Sequence, residues 1–387
     1  MHSLLAHCSQ SRPCICKSLL ASVPTGTDQL TIPADDDYYL YLAQKIFPIA
    51  DAKSVQGTPV TDGNIPMVCS SLSSSGKYFA ACTNKTLTLW DVSSCTRVAS
   101  YDLARAASSV AFSSSEDMIV IADKSGDAYL FRVGDVPSKL EPSPPELLLG
   151  HVSMLLKILI SHDDKYVLTC DRDEKIRVSR FPNAYNIETY CLGHEDSVTC
   201  LNFPKSSPCM LISGSSDGTL RLWNFTTGEL LHTQDCSLNE NTLIVDLVSF
   251  QVNSTSFVVC VIMNKYSYLR VFSIDVSDSL KCNFQEDVSI PCSSPRALLA
   301  NLDELFVLSY DSPHFIIALK FVNNTFTLCA ELNEKLKDVA RQFNDDFLSI
   351  TAQQPDDKLL SHLNKRKIDD TQDYYKRKNE RLLANSK

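Results

Sequence analysis

Short segments of alternating hydrophobic and polar residues recur along most of the chain. Residues 166–181 read YVLTCDRDEKIRVSRF and residues 210–225 read MLISGSSDGTLRLWNF. Each segment has an apolar run, a polar turn and a second alternating run, which is the pattern of two antiparallel strands joined by a tight turn. Comparable segments lie at 78–92 and 118–133. The pattern therefore predicts an all-β protein built from repeated strand pairs.

The repeat period indicates the architecture. Successive strand pairs are separated by roughly 40–45 residues, the period of a four-stranded WD-repeat propeller blade. Six predicted blades fall at residues 67–104, 107–148, 150–191, 192–235, 243–290 and 296–332. A seventh combines strands from the first 47 residues with the sequence after Phe326. We therefore predict an all-β, seven-bladed WD-repeat β-propeller, closed by its N- and C-terminal segments so that no sheet edge stays open.

Two stretches do not follow the strand pattern. Residues 51–66 predict an exposed loop within the propeller, which is expected to span residues 1–354. Residues 355–387 predict a charged C-terminal tail, helical or disordered, in which the triplet KRK occurs twice. This tail is either a solvated face, or a nuclear import signal or RNA contact made by Lys365, Arg366, Lys367, Lys376, Arg377 and Lys378.

The clearest blade is the one predicted at 192–235. It carries Gly193-His194 and Trp223-Asn224, a pair of the GH…WD type with Asn in place of Asp. We expect His194, Ser213, Asp217 and Trp223 to share one structural hydrogen-bond network that ties the inner strand of the blade to its middle pair. A catalytic Ser-His-Asp arrangement is the alternative interpretation of the same residue types.

Motifs of common enzyme classes are missing. The chain has 11 glycines but no G-x-G-x-x-G or G-x-x-x-x-G-K-[ST] loop for phosphate, and no H-E-x-x-H motif for zinc. GSSDG matches G-x-S-x-G with Ser216 at its centre, but a nucleophile elbow needs a helix after it, and the next residues alternate as a strand. We therefore expect no catalytic residue, cofactor or metal in this chain. Most of the 15 cysteines are single and lie in apolar segments, which predicts reduced, buried thiols.

Charge is unevenly distributed. The net charge is −10, whereas residues 358–387 carry nine Lys or Arg against four Asp or Glu. The rest of the chain is therefore strongly acidic and would repel phosphate, so that work on nucleic acid requires the tail or a basic partner. Phe257–Met263 is among the longest apolar runs and has seven residues, far below the roughly 18 of a membrane span. The N-terminus lacks the apolar core of a signal peptide, so we expect an intracellular protein without a membrane association.

One turn is charged where its counterpart is not. The segment DRDEKIRVSRF, residues 171–181, begins with three acids and three bases in seven residues, while the aligned segment of the next blade has small polar residues. An offset of 44 residues places Asp173 under Asp217, which predicts that Asp173 is the structural turn aspartate and binds His151 or nearby backbone. Strand alternation turns Arg177 away from the face that is buried.

The remaining charges at this turn are unexplained by the fold. They belong above all to Arg172, Glu174, Lys175 and Arg177. One interpretation is a solvated turn whose charges pair with one another, each pair being worth about 0–1 kcal/mol. The other is a docking patch, in which closely spaced opposite charges provide specificity and orientation.

The segments DRDEKIRVSRF, IETYCLGHEDSV and MLISGSSDGTLRLW resemble the non-catalytic WD-repeat subunit of tRNA (guanine-N7)-methyltransferase, the family that includes the Wuho proteins. The resemblance implies a chain without methyl-transfer chemistry that binds and stabilises a separate catalytic subunit. That subunit would hold S-adenosylmethionine and form 7-methylguanosine in the tRNA variable loop. It also implies a heterodimer, contact with tRNA through the complex, a location in the nucleus and also in the cytoplasm, and docking at Arg172, Glu174, Lys175 and Arg177.

A WD-repeat scaffold or substrate adaptor of another complex, such as a ubiquitin ligase, is the alternative. Adaptors of that kind often carry W-D-x-R after a repeat. This chain has Trp90-Asp91-Val92-Ser93 and Trp223-Asn224-Phe225-Thr226, and neither segment contains Arg.

Overall fold

The structure is a computed structural model. It describes residues 12–13, 69–82, 85–92, 96–133, 145–205, 207–237, 242–264, 266–277, 280–293, 295–301, 303–309, 316–330 and 332–334. These residues form six antiparallel sheets in which the strands follow one another in chain order. The predicted all-β propeller class is thereby confirmed, and we number the six sheets as blades 1 to 6.

The first three blades contain strands β1 to β13. Blade 1 consists of β1 (Arg12–Pro13), β2 (Cys69–Leu72), β3 (Tyr78–Cys82), β4 (Thr86–Asp91) and β5 (Thr96–Asp102). Blade 2 consists of β6 (Ala107–Phe112), β7 (Met118–Asp123), β8 (Asp127–Arg132) and β9 (Glu146–Gly150). Blade 3 consists of β10 (Leu155–Ile160), β11 (Tyr166–Asp171), β12 (Ile176–Arg180) and β13 (Ile187–Cys191).

The last three blades contain strands β14 to β25. Blade 4 consists of β14 (Val198–Asn202), β15 (Met210–Ser215), β16 (Thr219–Asn224) and β17 (Glu229–Asp235). Blade 5 consists of β18 (Ile244–Gln251), β19 (Ser256–Met263), β20 (Tyr268–Asp275) and β21 (Lys281–Ser289). Blade 6 consists of β22 (Pro295–Asn301), β23 (Glu304–Ser309), β24 (Ile316–Val322) and β25 (Thr325–Leu328).

The first long strand of each blade is the inner one. Strands β2, β6, β10, β14, β18 and β22 each pack against the next in this series. The short strand β1 pairs with β2 and also contacts β22. The rest of the predicted seventh blade, the loop at 51–66 and the tail at 355–387 lie outside the described residues.

The hydrophobic core lies between neighbouring blades rather than within one sheet. Side chains of one blade, such as Ile176 and Val178, pack with Leu211, Trp223 and Phe225 of the next. Each fully buried side chain of this size contributes about 1.5–3 kcal/mol through removal of apolar surface from water. In the described part of the chain, no helix is long and apolar enough to cross a membrane.

The antiparallel order brings two kinds of connection to the same face of each blade. These are the loop that enters the inner strand and the turn between the second and third strands. We call this side the upper face. In blade 3 it contains residues 151–154 and the charged turn at 172–175.

Candidate partner-docking site

The charged turn of blade 3 is held by the carboxylate that precedes it. Asp171 Oδ1 accepts hydrogen bonds from the backbone N–H of Asp173 at 2.9 Å and of Lys175 at 3.0 Å. An Asp side chain that bonds backbone two residues later is a common way to close a turn. Glu174 has a φ of 72°, the left-handed conformation that Gly218 adopts in blade 4. The turn is thus fixed by its own backbone and by Asp171.

Asp171, and not Asp173, binds His151. His151 Nδ1 lies 2.9 Å from Asp171 Oδ2, and Nε2 lies 2.8 Å from Thr169 Oγ1. Burial acts to raise the pKa of Asp171, but the hydrogen bonds from His151 and from the Lys175 N–H hold it below its usual value. The prediction that Asp173 binds this histidine is wrong, because Asp171 ends β11 opposite Leu155 and therefore beside the loop of His151.

Arg177 is an interior residue. Its side chain is 8% exposed, with Nε 2.8 Å from Ser179 Oγ, Nη1 3.1 Å from the Gly150 carbonyl and Nη2 2.8 Å from the Ala184 carbonyl. Burial lowers the pKa of its guanidinium. As expected from strand alternation, the side chains of Arg177 and Ile176 lie on opposite sides of β12. Both sides of this strand are buried, however. The expectation that Arg177 meets partner carboxylates is therefore corrected, since each of its three nitrogens already has an acceptor, two in blade 3 and one in Gly150 of blade 2.

The other three residues predicted to dock the partner differ in exposure. Lys175 is exposed, and its Nζ donates to the Asp173 carbonyl at 3.2 Å. Arg172 and Glu174 are half-buried. Arg172 is anchored by its backbone, since its N–H donates to the Met154 carbonyl at 3.0 Å and its carbonyl accepts from Ser197 Oγ at 3.1 Å. Its Nε is buried without a hydrogen-bond partner among the described residues.

Blade 4 contains the hydrogen-bond network that the sequence indicated. Trp223 Nε1 donates to Ser213 Oγ at 2.8 Å, His194 Nε2 lies 2.7 Å from the same oxygen, and His194 Nδ1 lies 2.8 Å from Asp217 Oδ2. Because the ionised Asp217 carboxylate can only accept, His194 Nδ1–H donates to it; Nε2 of the neutral imidazole is then an acceptor, and the Ser213 hydroxyl donates to it.

This network has the connectivity of a Ser-His-Asp triad but cannot act as one. Ser213 is fully buried and its oxygen accepts the Trp223 indole, so a substrate carbonyl has no access to it. Burial lowers the pKa of His194 despite the nearby Asp217. The Asp217 pKa lies below its usual value because the hydrogen bonds from His194, Glu195 N–H and Thr219 outweigh the effect of burial. The arrangement ties the blade together.

Ser216 lies in a turn between two strands. β15 ends at Ser215 and β16 begins at Thr219, so GSSDG is followed by a strand, as the alternation predicted. In the described part of the chain, no three His, Cys, Asp or Glu side chains are grouped so as to hold a metal ion.

The cysteines in the described part of the chain are free thiols, and most are buried. Burial raises the pKa of Cys191, Cys200 and Cys236 to about 12 in each case, so these side chains stay protonated and unreactive. The six basic residues of the tail from Lys365 to Lys378 lie outside the described residues.

Sequence reasoning missed two exposed apolar side chains beside the charged turn. Val152, in the loop that enters β10, is fully exposed, and Leu192, just after β13, is 61% exposed. In the sequence, the only sign of their exposure is that they lie next to polar loop residues. Many buried side chains lie in the same kind of sequence, so this position does not predict exposure.

Comparison with known proteins gives a consistent family. Residues 134–320 match the family model described as the WD40 domain of the tRNA methyltransferase TRM82. The chain is 33% identical over 284 residues to a Danio rerio protein named tRNA (guanine-N(7)-)-methyltransferase non-catalytic subunit wdr4, covering 72% of this chain and 67% of the relative. The Culex quinquefasciatus subunit wuho is 30% identical over 290 residues, covering 74% of this chain and 67% of the relative.

Other matches are shorter or more distant. The Homo sapiens non-catalytic subunit WDR4 is 37% identical over 214 residues, which is 55% of this chain and 50% of the relative. A chain in the crystal structure of the mitotic checkpoint complex superposes with a TM-score of 0.55 at 15% identity, covering 67% of this chain and 79% of that chain, and so supports the fold alone. Taken with the propeller blades and the charged turn, the identity to the Danio rerio subunit shows that this chain belongs to the family of non-catalytic WD-repeat subunits of tRNA (guanine-N7)-methyltransferase.

Proposed function

We propose that this chain binds and stabilises the catalytic subunit of a tRNA (guanine-N7)-methyltransferase and is required for 7-methylguanosine formation in the tRNA variable loop. The observation that carries the proposal is the match to named non-catalytic subunits over more than two thirds of the chain. The buried Ser213, which closes the Ser-His-Asp arrangement to substrates, is consistent with a role that is not catalytic. S-adenosylmethionine would be held by the catalytic subunit.

We place the docking site on the charged turn of blade 3. Lys175 offers an exposed cation, and Arg172 and Glu174 lie beside it on a backbone that is fixed by Asp171 and by the bond to Met154. A fixed backbone reduces the ordering cost of binding. Arg177 is a positioning residue beneath the turn, because it joins β12 to the carbonyls of Gly150 and Ala184.

A methyl-transfer assay tests the proposed function. Purified chain, catalytic subunit and an equimolar mixture are each incubated with unmodified tRNA and S-adenosylmethionine. We expect no methylation by the chain alone and higher activity in the mixture than with the catalytic subunit alone. Methylation by the isolated chain, or equal activity with and without it, would contradict the proposal. Light scattering of the mixture would also show whether the complex is the proposed heterodimer.

A charge-reversal variant tests the docking site. Lys175→Glu should weaken binding of the catalytic subunit by about tenfold or more, because it replaces an attractive charge by a repulsive one. Its melting temperature should not change, since Lys175 is exposed. Lys165→Glu, at the opposite end of the same blade and 69% exposed in its side chain, is the matched control and should bind as the wild type does. Equal binding by both variants would show that this turn is not the docking site.

The tail and the cellular location remain predictions. A chain that ends before Pro355 should bind the catalytic subunit normally, and its complex should bind tRNA more weakly if the basic triplets contact RNA. Unchanged tRNA affinity would show that those triplets do not contact RNA. The role that we then propose for them is nuclear import, which localisation of the truncated chain in cells would test.

A further inference from the structure

We propose that the docking surface for the catalytic subunit is not only charged: Val152 and Leu192 form two apolar anchors that bracket the turn and supply much of the affinity. The inference rests on the proposed function. It commits to one occupant, an apolar surface of the catalytic subunit that also carries carboxylates.

The position of the two side chains follows from the order of strands in blade 3. The upper ends of β10, β11, β12 and β13 lie side by side from the inside of the blade outward. Val152 lies in the loop that enters β10 and therefore on the inner side of the turn. Leu192 follows Cys191, which pairs with Ile176, so Leu192 lies next to Lys175 on the outer side.

Both side chains expose most of their apolar surface to solvent. Among the large hydrophobic side chains of the described residues, Val152 has the highest fractional exposure, and Leu192 is 61% exposed. Tyr190, opposite Arg177 on the neighbouring strand, adds a partly exposed aromatic ring two residues below Leu192. Burial of apolar surface by a partner contributes about 25 cal/mol per Å², whereas charges around it set orientation.

The loop of Val152 is held in place before binding. His151 is bonded to Asp171 and Thr169, and the Met154 carbonyl accepts the Arg172 N–H. Val152 therefore projects from a short segment that is fixed on both sides. An anchor fixed in this way loses little conformational entropy when it is buried by a partner.

The chemistry of the surface favours protein over RNA. Apolar side chains gain nothing from a phosphate, and the neighbouring Asp173 and Glu174 would repel one. The exposed ammonium of Lys175, with the half-buried Arg172 beside it, would instead donate hydrogen bonds to carboxylates on the partner. An apolar surface with acidic groups at its edge satisfies all of these features together.

The test is a double variant, Val152→Ala with Leu192→Ala, compared with Val322→Ala and Leu328→Ala together. The control pair has the same residue types and lies in blade 6, where Val322 is 42% and Leu328 is 48% exposed. Dissociation constants are measured against the recombinant catalytic subunit. We expect at least about a tenfold weaker complex for the test pair and a change below about twofold for the control. Both double variants should melt as the wild type does, since all four side chains are exposed.

Salt separates this inference from the docking of the charged turn. The loss caused by the apolar variant should be the same at about 0.05 M and about 0.5 M salt, because burial of apolar surface is not screened, whereas the loss from Lys175→Glu should shrink. Binding of the test pair within twofold of the wild type would overturn the inference. So would weaker tRNA binding by the complex without weaker subunit binding. If the wild-type chain itself fails to bind the catalytic subunit, the result contradicts the proposed function and not only this inference.

Discussion

Replacement of Arg177 by Met should destabilise the propeller without removing a partner contact. The variant keeps the apolar stem but deletes the donors to Ser179, Ala184 and Gly150, at 2.8, 2.8 and 3.1 Å. The first two hydrogen bonds are buried, and an acceptor left buried without a donor costs about 1–3 kcal/mol. Part of this cost is offset, because the buried guanidinium is itself desolvated, which also lowers its pKa. We expect a loss of about 2–4 kcal/mol in the free energy of unfolding.

Thermal unfolding and binding together test this expectation. A loss of that size should lower the melting temperature by about 3–6 °C. Arg180→Met is the matched control on the same strand, because Arg180 is exposed and its ion pair with Glu188 is worth less than about 1 kcal/mol. At a temperature where the Arg177→Met protein is still folded, it should bind the catalytic subunit nearly as well as the wild type does.

The opposite combination of melting temperature and binding affinity would refute this reasoning. An Arg177→Met protein with an unchanged melting temperature and a weaker complex would show that the guanidinium contacts the partner directly. Lys175→Glu is expected to behave in that second way, so the two variants distinguish a positioning residue from a contact residue in one set of measurements.

Three further predictions concern the networks that hold the blades. Ser213→Ala should cost about 2–4 kcal/mol, because it leaves Trp223 Nε1 and His194 Nε2 buried without partners; an unchanged urea midpoint would contradict this. Stability should fall on acidification below about pH 6.5, where unfolded His194 takes up a proton that the folded state resists. It should fall again below about pH 3.8, where unfolded Asp217 is protonated while the folded carboxylate is not. Urea unfolding from pH 8 to 3 checks both windows, and a His194→Gln variant should lose the first and keep a smaller second one, because His194 is among the groups that lower the Asp217 pKa. Leu103→His should raise stability by about 0.5–1.5 kcal/mol. It puts an imidazole at the position of His151 in blade 2, where Asp123 Oδ2 is buried without a partner among the described residues; a lower melting temperature would contradict it.

Much of the fold could be predicted because the signal is repeated. The alternation predicted the strand pairs. The offset of 44 residues also relates the pair Thr169 and Arg177 in blade 3 to the pair Ser213 and Arg221 in blade 4. An apolar face on every strand can only be buried against a neighbouring blade, so the period itself indicates the propeller.

The charged turn of blade 3 was less predictable. Aligning the sequences of blades 3 and 4 does not show which carboxylate binds the histidine of each blade. In blade 4 the carboxylate comes from Asp217, two residues after the strand end at Ser215, and the Ser215 hydroxyl accepts the Asp217 N–H at 3.1 Å. In blade 3 the acid is at the strand end itself, and Asp171 both closes the turn and binds His151. The two blades use the same turn shape, but blade 3 gives both roles to Asp171.

The sequence by itself determined the strand pairs, the family and the position of the charged turn, because each depends on local pattern and residue identity. The tertiary structure decided which of those charges face solvent. Alternation assigns Arg177 to one side of β12 but does not say that Gly150 of blade 2 and Ala184 of the following turn cover that side. The exposure of a side chain depends on which residues of the neighbouring blade cover its strand. For that reason, only the packed structure shows that Lys175, Val152 and Leu192 lie together on one surface.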